Sequence, residues 1–189
     1  MFPRMSDAEK SIFTAFIRNS DRYLEFGSGG STCVASQFVK TSVVTVDSSE
    51  EWLKKVQETC SQLGYPVVPK LVYVDIGTTG EWGVPTDASA RERWPNYHRG
   101  IWSDPANRNA DLYMIDGRFR VACFMQTLLH CRPDALLMFH DYSSRPHYHV
   151  IEEVSRKIAV AEDLSVFLPG ERPKDRVEKL LAEYEFDYR

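Results

Sequence analysis

The sequence lacks several features, and each lack closes a line of interpretation. No apolar run approaches the roughly 18 residues of a membrane helix, and the opening MFPRMSDAEK has no apolar core of a secretion signal. A cytoplasmic protein with no membrane partner is therefore expected. The four cysteines, Cys33, Cys60, Cys123 and Cys131, include no pair at the two-residue spacing of a zinc site or redox dithiol. They read as small buried hydrophobes. Positive charge is not in excess: 23 Lys and Arg stand against 27 Asp and Glu, a net charge of −4, so nucleic acid is not a favoured partner. No Gly precedes a Lys, which excludes a P-loop, and the third Gly of a dinucleotide fingerprint would fall at position 32, which is Thr. Ser31 has Cys rather than Gly two residues on, so the hydrolase elbow fails as well.

What is present is a regular alternation within a length, 189 residues, that suits a single domain over 1–189. Ser6 and Glu9 form a capping box ahead of Ile12, Phe13, Phe16 and Ile17 at helical spacing. A strand ending near Phe26, a glycine-rich turn and a helix over 32–40 follow. SVVTVD (42–47) is a second strand, and Ser48 with Glu51 caps a helix closed by Gly64. A third strand is expected over 67–75. After an interruption come ADLYMIDG (110–117), a helix over 118–131 and ALLMFHDY (135–142). Residues 144–156 look helical, 157–168 form a hairpin turning at Glu162 and Asp163, and a last helix starts at Pro173. Such alternation predicts a mostly parallel sheet with helices on both faces, whose ligands bind at the carboxyl ends of the strands near the switch point.

Five acids, Glu25, Asp47, Asp75, Asp116 and Asp141, stand at or just past five successive strand ends. Any one of them could be a turn or cap residue. The loop Gly27, Ser28, Gly29, Gly30 lets backbone approach a ligand closely at a helix start.

Together these residues resemble the class I S-adenosylmethionine-dependent methyltransferases. Glu25, Gly27 and Gly29 stand at the places of that family's first motif, acid-any-Gly-any-Gly, with Ser31 where a third Gly is frequent. Asp47, 20 residues after Gly27, matches the acid that takes the ribose hydroxyls, and Asp75 matches the acid before the adenine. The closing hairpin is also family-like. The resemblance implies a Rossmann-like seven-stranded sheet, S-adenosylmethionine as cofactor, and Glu25, Gly27, Ser28, Gly29, Gly30, Asp47 and Asp75 as the residues around it.

On the acceptor side Asp116, His140 and Asp141 are the catalytic candidates, because they lie at the ends of neighbouring strands where a hydroxyl or amine would lose its proton. Some O-methyltransferases that look like this family place such aspartates on magnesium. No third ligand is evident here, so a metal site is not favoured. Between Leu71 and Arg156 there are nine Arg and no Lys. Arg118 and Arg120, directly after Asp116, are candidates for binding an anionic group on a small-molecule acceptor. Segment 76–109, with Trp82, Trp94 and Trp102, reads as a lid over the acceptor or as a homodimer contact, and Trp82 and Trp102 are substrate-binding candidates. The competing function is a methyltransferase-like scaffold without activity, using the aromatic segment as a partner surface.

Overall fold

The computed structural model describes all 189 residues. Seven strands, β1 (Arg22–Phe26), β2 (Ser42–Asp47), β3 (Lys70–Tyr73), β4 (Leu112–Ile115), β5 (Leu136–Phe139), β6 (Arg156–Ala161) and β7 (Leu164–Leu168), form one sheet in the order β3-β2-β1-β4-β5-β7-β6. All neighbours in β3 to β5 are parallel, and β7 runs antiparallel to β5 and β6. The chain starts in the middle at β1, works outward to β3, then crosses back to β4. The switch point therefore lies between β1 and β4.

Side chains alternate across the sheet as strand geometry requires. Leu24, Phe26, Val44, Val46, Tyr113, Ile115, Leu137 and Phe139 join the larger core under α4 (Pro95–Arg99), α5 (Arg120–His130) and α6 (Lys174–Tyr184). Tyr23, Val43, Leu112, Met114 and Met138 join the smaller core under α1 (Asp7–Ile17) and α2 (Gly30–Phe38). Beside α2, α3 (Glu50–Gln62) closes a third cluster with Cys33, Val56 and Cys60. All four cysteines are buried free thiols. No helix is long and apolar enough to cross a membrane.

The Ser6–Glu9 capping box forms on α1, and the hairpin turns at Glu162 and Asp163. The cap of α3 shifts by one: Ser49, not Ser48, accepts the Trp52 N–H at 3.2 Å. The third strand is only four residues long, because Pro69 has no N–H for the ladder. Residues 146–153 are a 3₁₀ turn.

Segment 76–109 is the β3-to-β4 crossover, built from short turns at Glu81–Gly83, Arg91–Arg93, Gly100–Ser103 and Pro105–Asn109 around α4. Its second half is core: Trp94, Tyr97, Ile101 and Trp102 are all at most 5% exposed. Lifting them out would forfeit about 1.5–3 kcal/mol per side chain, so that half is fixed packing and no lid. Ile76 is also core, whereas residues 77–86, tied by a bridge between Thr79 and Pro85, form a surface loop.

Candidate functional site

The glycine loop sits at the end of β1 because β1 has to turn directly into α2. Gly27 adopts φ +94°, and a Cβ there would lie 2.6 Å from the backbone of Gly117, at the end of β4. The two strand ends on either side of the switch point thus touch through glycines. Gly30 is crowded differently, since its missing side chain leaves room for the backbone of Phe2 and Pro3. Gly29 faces open space, with only Trp52 Nε1, at 3.9 Å, near the position of a Cβ.

Beneath this loop lies Glu25, fully buried on the α2 face. Tyr23 Oη and Ser31 Oγ each donate to its Oε2 at 2.7 Å, and Thr32 donates to its other oxygen. Thr32 also accepts the Gly29 N–H at 2.9 Å, so Glu25 anchors the loop through the first turn of α2. Burial lifts the Glu25 carboxyl to about 7, against the pull of the three hydroxyls.

Asp47 holds the loop from the side. Its Oδ2 accepts both the N–H and the hydroxyl of Ser28 at 2.8 Å, while Oδ1 accepts the Ser49 N–H at 2.9 Å. Trp52 Nε1 donates to Ser28 O at 2.7 Å and completes the clamp. Burial raises the Asp47 carboxyl despite the hydrogen bonds from Ser28, Ser49 and Ser48. Oδ1 keeps acceptor capacity for a ligand hydroxyl. Asp75 is placed apart from this group: it accepts the Gly77 N–H at 2.8 Å and pairs with Arg93. That is a turn residue's geometry.

Residues 80–84 cover the strand ends. A Cβ on Gly83 would lie 3.1 Å from Ser48 Oγ and 3.9 Å from Arg118 Cγ, which sets this turn across β2 and β4. Trp82 has φ +60°, is 65% exposed, and carries the Arg4 guanidinium 4.4 Å over its ring. Trp102, in contrast, packs against Phe26, Tyr113 and His130 at 4% exposure, so it offers no face to an acceptor.

On the other side of the switch point the acid pair does converge. Asp116, His140 and Asp141 bring one ligand atom each within 4.8 Å of one another. The cation between the carboxylates is Arg120: Nη2 lies 3.2 Å from Asp116 Oδ1 and 3.0 Å from Asp141 Oδ2. Nε and Nη1 donate to the carbonyls of Gly117 and His140 at 3.0 and 2.6 Å, and Nη2 also donates to the carbonyl of Asp116 at 3.1 Å. Arg120 is 3% exposed, so it is an internal strut and not the substrate-binding residue that its sequence position suggests. Arg145 adds a second guanidinium 2.8 Å from Asp141.

His140 Nδ1 lies 3.1 Å from Asp116 and its Nε2 3.8 Å from Glu9. Burial opposes charging the ring, but Asp116, Asp141 and Glu9 outweigh it and raise its pKa. Burial likewise works to raise Asp116, yet His140 and Arg120 hold its carboxyl below the usual range. A magnesium ion prefers an octahedral oxygen shell. With an imidazole in the set and a guanidinium already bridging the carboxylates, these residues do not fit one.

Sequence reasoning missed Ser31, Thr32, Trp52, Glu9 and Arg145 as members of the site. Ser31 and Thr32 were readable as hydroxyls in the first turn of the helix that follows the glycine loop. Trp52 and Arg145 follow Asp47 and Asp141 by five and four residues, whereas Glu9 reaches the site from a remote segment.

No protein-family model matches the chain, and no curated protein matches it in sequence. Its structure does have relatives. A methyltransferase-like protein from Silicibacter pomeroyi is 28% identical with a TM-score of 0.85, over 98% of this chain and 97% of that one. The chain has the fold of a class I methyltransferase-like protein. This methyltransferase-like chain also superposes on the O-methyltransferase TomG from Streptomyces achromogenes, in complex with S-adenosylmethionine, at 14% identity and a TM-score of 0.56 over 87% and 81% of the two chains. A putative caffeoyl-CoA O-methyltransferase from Staphylococcus aureus gives 13% and 0.60, over 89% and 86%. These two show the shared fold.

Proposed function

We propose that the protein transfers a methyl group from S-adenosylmethionine to a small acceptor. One observation carries this reading: at the single switch point, the open face of Gly29 and the part-free carboxylate of Asp47 lie on one side and the Asp116–His140–Asp141 cluster on the other. The residues fit the cofactor, because Gly29 leaves its face clear and Asp47 Oδ1 can accept a diol hydrogen bond. Gly27–Gly30 and Asp47 would hold it. When bound, the cofactor supplies an electrophilic methyl group.

The chain's own contribution is then alignment and proton removal. Asp141 faces the acceptor side and holds the proton the acceptor gives up, while His140, its ring nitrogens turned to Asp116 and Glu9, braces the strand end beside it. Arg120 fixes both strand ends. The 80–84 turn shields the strand ends from water. Exposed Trp82 favours a second reading, in which that turn is a partner surface on an inactive scaffold.

Incubating the protein with S-adenosylmethionine and a panel of small hydroxylated and aminated acceptors, with mass spectrometry of the products, separates the two. One added methyl group, lost in Asp141→Asn, is expected for the enzyme. No product across the panel, with no S-adenosylhomocysteine released, supports the scaffold.

A further inference from the structure

We infer that Arg4 and Trp82 form a clasp that shuts the 77–86 loop over the face presented by Gly29 and Asp47. That the ligand entering there is S-adenosylmethionine rests on the methyl-transfer reading; the clasp itself does not.

Residues 1–5 form a strap outside any helix or strand. Met5 is anchored in the smaller core under α1 and α2, and Met1 packs against the Cys33, Val56 and Cys60 cluster between α2 and α3. Between these anchors the strap crosses the start of α2, where a side chain on Gly30 would collide with the backbone of Phe2 and Pro3. Phe2 is 91% exposed, so it adds no burial to hold the strap down.

The 77–86 loop arrives from the other side. Hydrogen bonds from Gly80 N–H to Val84 O at 2.8 Å and from Thr86 N–H to Thr78 O at 2.9 Å stiffen it into one piece, and Pro85 is its only buried residue. It leaves the core at Gly77, whose φ of +93° sets the bend.

Strap and loop meet where the Arg4 guanidinium carbon lies 4.4 Å over the Trp82 ring. Trp82 holds φ +60°, a backbone conformation that a bulky residue keeps only where its surroundings impose it. The two ends of this bridge locate it. Pro3, next to Arg4, rests on Gly30 beside Gly29, and Gly83, next to Trp82, stands against Ser48 beside Asp47. Gly29 and Asp47 are the two sides of the proposed cofactor site, so a link between their neighbours spans it. An exposed cation–π stack changes an equilibrium by a factor of only about 2–5, which suits a closure that has to open and shut.

The test follows two rates in the full chain. One is cleavage after Glu81 by a glutamyl endopeptidase, without ligand, in wild type, Arg4→Ala and Arg4→Lys. The other is release of S-adenosylhomocysteine in stopped flow, reported by tryptophan fluorescence, in those proteins, in Trp82→Ala and in the double variant Arg4→Ala/Trp82→Ala. Because cleavage tracks the open population, Arg4→Ala should raise both rates about 2–5-fold, while Arg4→Lys, which keeps the cation, should stay within about 2-fold of wild type. The double variant should release ligand no faster than either single, since all three remove one contact. Cleavage and release both unchanged in Arg4→Ala overturn the inference, as do additive effects in the double variant. Faster release with unchanged cleavage makes Arg4 a ligand contact and also overturns it. Faster cleavage in Arg4→Ala, with no S-adenosylhomocysteine bound by wild type, retains the clasp and removes the methyl-transfer reading.

Discussion

Replacing Arg120 by Met would keep most of its volume and remove the cation between Asp116 and Asp141. Five donor contacts disappear, to three carbonyls and two carboxylates, and the two acids are left facing each other. Breaking a buried pair from one side costs about 3–5 kcal/mol, a large part of the roughly 5–15 kcal/mol that holds a domain together. The loss should depend on pH. With Arg120 present, the Asp116 carboxyl is held below its ordinary value, so its contribution to stability is full above the unfolded pKa and is lost as pH falls through the folded one. Without Arg120 that advantage shrinks or reverses, and the gap between the two proteins should narrow on acidification. Urea unfolding of wild type and Arg120→Met at pH 8 and below pH 4 measures both effects, and Asp141→Asn added to Arg120→Met should recover part of the loss. A cost under about 1 kcal/mol at pH 8, or a cost that does not shrink in acid, would refute the strut.

Because the guanidinium already compensates both carboxylates, activity should be insensitive to a chelator and unchanged by added Mg²⁺; an activity restored only by magnesium would contradict this. Glu25, lifted from 4.5 to about 7, should give stability that is full below pH 4.5 and falls by about 3 kcal/mol as pH rises to 7, and Glu25→Gln should flatten that fall in a pH series of denaturation curves. Gly27→Ala should cost more than about 2 kcal/mol, from its positive φ and the collision with Gly117, whereas Gly29→Ala should fold within about 0.5 kcal/mol of wild type yet bind S-adenosylhomocysteine at least about 10-fold more weakly. Chemical denaturation and calorimetry distinguish the two glycines. If residues 77–86 close over bound ligand, proteolysis there should slow when S-adenosylhomocysteine is added, and equal cleavage rates would leave that loop without a covering role.

The strand order and the helices were legible because the periodicities are clean. SVVTVD can only be a buried strand, and the Ser6–Glu9 box marks a helix start. The acid pair was legible in outline too, since Asp116 and Asp141 follow adjacent parallel strands, and a compensating arginine is what two close carboxylates require. Which arginine was not. Arg118 and Arg120 differ by two positions at a helix start, and only the left-handed turn at Phe119 (φ +54°) decides that Arg120 turns inward while Arg118 stays at the strand ends. The crossover misled for a related reason: its helical turns are too short to show a period, so Trp94 and Trp102 read as surface aromatics although the sheet buries them.

Calorimetric titration of S-adenosylhomocysteine into wild type and Asp47→Ala tests the proposed function most directly. Wild type should bind one molecule per chain, and Asp47→Ala, still folded by circular dichroism, should bind about 10- to 100-fold more weakly through the loss of charge-assisted hydrogen bonds worth about 1.5–3 kcal/mol. No heat with wild type, or equal affinity in the two proteins, would contradict a cofactor held between the glycine loop and Asp47.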